Sequence, residues 1–290
     1  MHFILILGAI AIAALLRLAP SQLTGDWTTR WHNALFRFLL PPSLLLIAAF
    51  AIACMGPQGQ MIGVQTDSIS YCLVLGWFIV ALLYGGQLAL KGWQSSRDLH
   101  RYPNIQLNAA PTLQTRPKPL SARLLEDSRL FSAQIGFWQP ELVITQGLLQ
   151  TLSSEHLEAV LAHEQAHCHY RDTFWFFWLG WLRRLTVWLP NTEALWQELL
   201  VLRELRADRW AAQRVDSLLL AEALLQVVST PALEWETACA AFSRPVSANR
   251  LQERIDALLD DARSPRKMPW WTWSWGVLAL VPLVTLPFHS

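Results

Sequence analysis

Three stretches of the 290-residue chain run for eighteen residues or more without a charged side chain: 38–55, 71–90 and 270–288. A fourth block, 3–16, is apolar throughout and ends at Arg17. Stretches of this length cross about 30 Å of hydrocarbon as helices, whereas the core helices of soluble domains carry shorter apolar runs. Hydrophobic residues make up 53% of the sequence and charged residues 16%, against about a quarter charged in an ordinary globular domain. The deficit is concentrated in these blocks, so the chain is expected to pass through a membrane four times. The first block reads as a retained span and not as a cleaved signal, because Met1 and His2 provide no basic n-region. Pro41 and Pro42 fall inside the second block, where a membrane helix tolerates a kink if its neighbours satisfy the freed carbonyls.

Lys and Arg near the block ends set the expected orientation, since cytoplasmic flanks hold the excess. Arg17, Arg30 and Arg37 lie between the first two blocks, and 56–70 holds no Lys or Arg. Lys91, Arg97 and Arg101 follow the third block, and Arg263, Arg266 and Lys267 precede the fourth, after which only His289 and Ser290 remain. The expected organisation is three transmembrane helices with short loops in 1–90, a cytoplasmic domain in 91–269 and a C-terminal transmembrane helix in 270–290, with the N-terminus outside. Inside the middle domain, 174–190 (FWFFWLGWLRRLTVWLP) is apolar but broken by Arg183 and Arg184. Paired charges at bilayer depth are costly, so this segment is expected not to span but to lie on the membrane as an amphipathic helix with its Trp residues at headgroup level, or to pack as a helix on the catalytic domain.

The formal charge of +1, from 23 Lys and Arg against 22 Asp and Glu, provides no field for a polyphosphate backbone. No direct nucleic-acid partner is expected. Four Cys, none in a CxxC pair, exclude a disulfide scaffold and a zinc knuckle. In the middle domain, 92–119 reads as a connector with a short strand near 105–107. The apolar runs 131–135 and 141–145, either side of Gly136 and Pro140, read as a strand pair. The second of these, Glu141, Leu142, Val143, Ile144 and Thr145, is expected as an edge strand that holds a substrate extended by backbone hydrogen bonds. Helical periodicity then takes over: a helix capped at Ser153 or Ser154, a second over 192–213, a third over 217–228 with Asp216 as its cap, and a charged amphipathic helix over 249–260. The fold expected is mostly α, a multi-pass membrane protein of four helices carrying an α+β domain.

The chemistry is concentrated in HEQAH, residues 163–167. On a helix, positions i and i+4 stand one above the other, so His163 and His167 reach a single metal ion while Glu164 lies beside them to hold a water. HExxH arises by chance in roughly one chain of this length in a hundred, so the motif needs a third ligand to support it. LRELRAD offers Glu204 and, one turn on, Asp208 on the same face. Glu198 and Asp172 are rival ligands by spacing. Arg203, Arg206 and Arg209 interleave with these acids and would pair with them on a merely solvated helix.

The middle region resembles the BlaR/MecR-type antirepressors, integral-membrane zinc metallopeptidases of the gluzincin type. IGFWQPELVIT is similar to the family's strand pair around a Gly and a Pro, HEQAHCHYRD to its HExxH followed by a basic residue and Asp, and RELRAD to its Glu-x-x-x-Asp. RLQERIDALL resembles the Arg-containing helix before the last span. The resemblance implies a cytoplasmic gluzincin-like zinc protease domain, with His163, His167 and Glu204 as Zn2+ ligands, Glu164 as general base and Asp208 as the partner that orients a ligand imidazole. Ala207 stands where the family usually has Cys, a change that removes no ligand.

What the resemblance implies for function is a metalloendopeptidase of the bacterial plasma (inner) membrane that cleaves a cytoplasmic protein, with a winged-helix repressor as the implied substrate, in regulated proteolysis. Antibiotic-sensing members continue into an extracellular penicillin-binding domain, whereas this sequence stops at Ser290. Its SxxK string, Ser264 to Lys267, falls on the expected cytoplasmic side, so beta-lactam sensing is not expected to carry over. Two other readings fit the same residues: a quality-control membrane protease similar to the HtpX type, and a non-peptidase membrane regulator whose zinc only stabilises a domain. Glu164 argues against the last, since a structural site needs no base.

Overall fold

The computed structural model describes residues 2–18, 26–56, 60–61, 64–65, 68–107, 120–228, 248–260 and 274–283. The chain divides into two units: 1–86 with 181–199 and 264–290, and 87–180 with 200–263. Residues 181–199 therefore group with the apolar helices, although they lie inside the stretch that the sequence assigns to the middle domain.

The first unit is built from the apolar blocks. Helix α1 spans His2–Leu18, α2 spans Trp27–Met55, and α3 spans Ser68–Leu99, of which residues to 86 belong here. Between α2 and α3, β1 (Gln60–Met61) pairs antiparallel with β2 (Val64–Gln65). Only α2 and α3, among the described residues, are long and apolar enough to cross a membrane. Helix α1, at 17 residues, is a shorter apolar helix. Within the expected fourth span the described residues, 274–283, hold an α-helix over Trp275–Leu278 and a 3-10 turn over 281–283, and 270–273 and 284–288 lie outside the described residues. Among the described residues, then, two of the expected spans are long helices.

Helices α2 and α3 differ in what surrounds them. The most apolar window of α2 is 56% buried within the protein and that of α3 17%. Along α3, Leu73, Ile79, Leu82 and Leu83 are all exposed, a pattern that is costly in water and natural against lipid.

The arginines counted for orientation do not behave as free flanking charges. Arg17, at the end of the first apolar block, is fully buried and donates to Thr192 Oγ1 at 3.2 Å and to the Phe38 carbonyl at 3.1 Å. Arg37 donates to the Arg17 carbonyl at 2.9 Å. Arg30 pairs with Glu198 at 2.6 Å. Because α2 begins at Trp27, Arg30 and Arg37 lie within the helix and not in a loop.

The second unit contains a four-stranded sheet. Strands β3 (Asn104–Leu107), β4 (Leu120–Leu125), β5 (Ser132–Ile135) and β6 (Glu141–Thr145) are ordered β3-β4-β6-β5. Strand β4 is antiparallel to β3 and parallel to β6, and β5 is antiparallel to β6. The β5–β6 hairpin is the expected strand pair, and it turns at Gly136, whose φ of +126° only glycine adopts readily. The sequence reading missed β4. The connector expected from 92 begins later, because α3 continues as helix to Leu99.

Thr145 ends β6 and caps α4 (Gln146–Thr151), its hydroxyl accepting from Leu148 N. Gly147 at the start of α4 passes so close to the preceding loop that an added Cβ would lie 2.0 Å from the Ser128 carbonyl oxygen. Helix α5 (Ser154–His169) is capped by Ser153. Helix α6 spans Asp172–Leu185, too short to cross a bilayer. Helices α7 (Thr192–Ala212) and α8 (Ser217–Val228) follow, the latter capped by Asp216, which accepts from Leu218 N at 2.8 Å. Helix α9 spans Ala248–Leu259 and α10 spans Trp275–Leu278. Ala122, Leu142 and Ile144 of the sheet pack with Ala159 and Ala162 of α5, Ala211 of α7, Leu220 and Leu224 of α8 and Leu258 of α9 in one core. The small residues of α5 let it approach the sheet closely, and that approach presents its polar face away from the core.

Candidate metal centre

Helix α5 buries Ala159, Ala162 and Ala166 on one side, which leaves His163, Glu164 and His167 on the side facing α7. Both imidazoles turn Nε2 toward the same point, with the two Nε2 atoms 3.1 Å apart. From α7, Glu204 brings Oε2 to 3.3 Å from His163 Nε2 and Oε1 to 3.8 Å from His167 Nε2. One donor atom from each of the three residues lies within 4.8 Å of the others.

Each ring's second nitrogen meets an acid. His163 Nδ1 lies 2.8 Å from Asp208 Oδ1, and His167 Nδ1 donates to Asp172 Oδ2 at 2.7 Å. Carboxylates at both Nδ1 atoms fix the tautomers so that the Nε2 lone pairs face inward. Asp172 reaches His167 because Arg171 adopts a left-handed φ of 54°, reversing the chain between α5 and α6. Such a conformation costs a non-glycine residue about 1–3 kcal/mol and collects at functional sites.

Guanidinium groups hold the acids. Arg254, from α9, makes two hydrogen bonds of 2.7 Å to Asp208 and approaches Glu204 Oε2 at 3.5 Å. Arg203 donates to Glu204 Oε1 at 2.9 and 2.7 Å and lies over the Phe176 ring at 4.9 Å. Arg206 pairs with Asp172 and stacks on Tyr170 at 4.2 Å. Finally, Ser132 of β5 donates its hydroxyl to Glu164 Oε1 at 2.8 Å.

The charges are strongly coupled. Burial works against a charged His163, but Asp208 and Glu204 outweigh it and push the imidazole up to about 9. Burial likewise opposes the charge on Glu204, yet Arg203, His167, His163 and Arg254 hold its carboxyl well below the usual range. Asp208 is held low against burial by Arg254 and His163, and Arg254 is raised in turn by Asp208 and Glu204. Glu164, Asp172, Glu204 and Asp208 outnumber the three guanidiniums by one negative charge, which a proton on an imidazole or a cation can meet.

The donor set fits a tetrahedral zinc. Ligand atoms at 2.0–2.1 Å from a tetrahedral centre stand about 3.3 Å apart; here the two Nε2 atoms are 3.1 Å apart, and one donor atom from each of the three residues lies within 4.8 Å of the others. Two imidazole nitrogens and a carboxylate oxygen are ligands that zinc accepts, and three protein ligands leave a position open.

Residues 103–200 match the sequence model of peptidase family M48. That family consists of zinc metallopeptidases, so the match supports a metallopeptidase. The matched stretch contains HEQAH and ends before Glu204. No curated protein matches the chain.

Among the expected site residues, the structure brings His163, Glu164, His167, Glu204 and Asp208 together. The rivals separate: Asp172 stands behind His167, and Glu198 is taken up by Arg30 in the first unit. The expected substrate strand requires correction. Glu141, Leu142, Val143, Ile144 and Thr145 form β6, which is hydrogen-bonded on both sides, to β4 and to β5. A strand paired on both sides has no backbone groups left for a substrate. The sheet edge nearest Glu164 is β5, which carries Ser132. Sequence reasoning also missed Ser132 and Arg254. For Arg254 a signal existed in RLQERIDALL, whose spacing marks a helix but does not name the arginine that turns inward.

Proposed function

We propose that the chain is a membrane-associated zinc metalloendopeptidase that cleaves a cytoplasmic protein. The observation that carries this reading is the convergence of His163, His167 and Glu204 beside Glu164, with a carboxylate behind each imidazole. His163, His167 and Glu204 would hold the metal. When bound there, zinc supplies Lewis acidity toward the scissile carbonyl and lowers the pKa of water.

The remaining chemistry falls to the chain's own residues. Glu164 takes the proton of the attacking water and delivers it to the leaving amine. Ser132 fixes the carboxylate through Oε1, leaving Oε2 for that proton. The outer edge of β5 offers backbone groups that pair with an extended segment, which selects flexible substrates. Asp208, itself clamped by Arg254, and Asp172, clamped by Arg206, keep the two imidazoles oriented.

The resemblance to antirepressors favours a soluble regulator, a winged-helix repressor, as substrate, with the protein in the plasma membrane and the site on the cytoplasmic side. Coexpression with candidate repressors tests this. Cleavage that disappears in Glu164→Gln is the expected result; equal cleavage by both forms assigns the reaction to another protease. A quality-control role is the second reading, favoured by the two helices long enough to cross a membrane. Accumulation of many membrane proteins, and of no single regulator, in Glu164→Gln cells would select it.

A further inference from the structure

The β5–β6 hairpin tip and the first half of α6 form one aromatic patch within the second unit. The Phe137 ring sits at its centre, 4.7 Å from Trp138, 5.0 Å from Phe174, 4.7 Å from Phe177 and 6.3 Å from Trp178 between centroids. Trp175 extends it, 5.2 Å from Phe174. Trp138 is 69% exposed, Trp175 58% and Trp178 42%. Water-facing surfaces of soluble proteins rarely collect large rings in this way. Indoles are favoured where one end of the ring is apolar and the other wet, the headgroup level of a bilayer. Arg171 lies over Phe174 at 5.2 Å, a cation at the patch border.

Helix α6 itself indicates the occupant. One turn beyond Trp178, Trp181 donates its indole N–H to the Ala81 carbonyl of α3 at 2.8 Å. Gly85 of α3 faces the same indole, at 3.4 Å from an added Cβ. Helix α3 is long and apolar enough to cross a membrane, and the neighbours of Ala81 toward its C-terminus, Leu82 and Leu83, are 74% and 60% exposed. The last turn of α6 then carries Arg183 and Arg184, as expected of a helix that leaves the apolar zone at the interface.

We infer that Trp138, Trp175 and Trp178, gathered around Phe137 and Phe174, form a lipid-facing surface that seats the second unit at the headgroup level of the bilayer. Strand β5 runs directly into this tip, through Gly136. On the peptidase reading above, a substrate paired with the β5 edge is then a segment presented close to the membrane surface.

The test uses the full chain with its native cysteines replaced by Ser and single NBD-labelled cysteines at 138, 175 or, as control, 155. Glu155 is exposed in the first turn of α5 and makes none of the patch's ring contacts. In phosphatidylcholine–phosphatidylglycerol vesicles with lipids brominated near the top of the acyl chains, quenching at 138 and 175 is expected to be about threefold stronger than at 155, with iodide shielding at the same two positions. A label at Gln139, which keeps every Trp in place, is expected to behave like 138. Weak bromolipid quenching with free iodide access overturns the inference in favour of a solvent-facing patch. Weak quenching with iodide shielding overturns it in favour of a protein-covered one. The readout involves no catalysis, so it stands or falls separately from the peptidase reading.

Discussion

Each unit contains a buried arginine, Arg17 in one and Arg254 in the other, and the two are held in different ways. In the apolar unit, Arg17 is held by a hydroxyl and a carbonyl. In the site unit, Arg254 is held by the two oxygens of Asp208 and the nearby Glu204. Neutral dipoles are enough to tie a single cation into a helix bundle. Paired carboxylates do more: they support imidazoles whose inward nitrogens have been left for something else. The same residue type thus closes packing in one unit and sets ligand geometry in the other.

The sharpest way to break that comparison is to delete each arginine. Arg254→Leu leaves Asp208 and Glu204 buried without their counter-charge and is expected to destabilise the intact chain by about 3–5 kcal/mol in chemical denaturation. Asp172→Asn keeps the volume but removes the anion behind His167, and is expected to weaken zinc affinity about 10- to 100-fold in competition with a chelator. Arg17→Leu removes hydrogen bonds to neutral groups only, for an expected cost of about 1–2 kcal/mol. A loss for Arg17→Leu as large as for Arg254→Leu would dissolve the distinction between the two units. Ser132→Ala is the smallest step. It frees the Glu164 carboxylate and is expected to lower kcat about tenfold with KM nearly unchanged, and Ser132→Thr is expected to restore most of it.

The parts of this picture that were legible in the sequence are those set by local periodicity. HEQAH and the Glu204–Asp208 pair each sit one turn apart on a single helix, and a 3.6-residue period places both on one face. The caps Ser153 and Asp216 act over two or three residues, as does the Gly136 turn. What the sequence concealed is non-local. Arg254 meets Asp208 across 46 residues and Ser132 meets Glu164 across 32. Strand β4 pairs in parallel with β6, with β5 lying between them in sequence, so nothing in LSARLL or ELVIT says which strand is central. For the same reason an apolar run such as 141–145 suits an edge and a centre equally well until its neighbours are known. Arg17 and Arg37 looked like topology signals because a positive charge at the edge of an apolar block looks the same whether it meets headgroups or carbonyls.

The central claim is that His163, His167 and Glu204 hold zinc while Glu164 moves the proton. Its most direct test is zinc content and peptide cleavage measured on the same purified samples of wild type, Glu204→Ala and Glu164→Gln. The account predicts about one zinc per chain in wild type, cleavage with it, loss of both in Glu204→Ala, and loss of cleavage alone in Glu164→Gln. Full zinc occupancy in Glu204→Ala, or undiminished cleavage in Glu164→Gln, would contradict it.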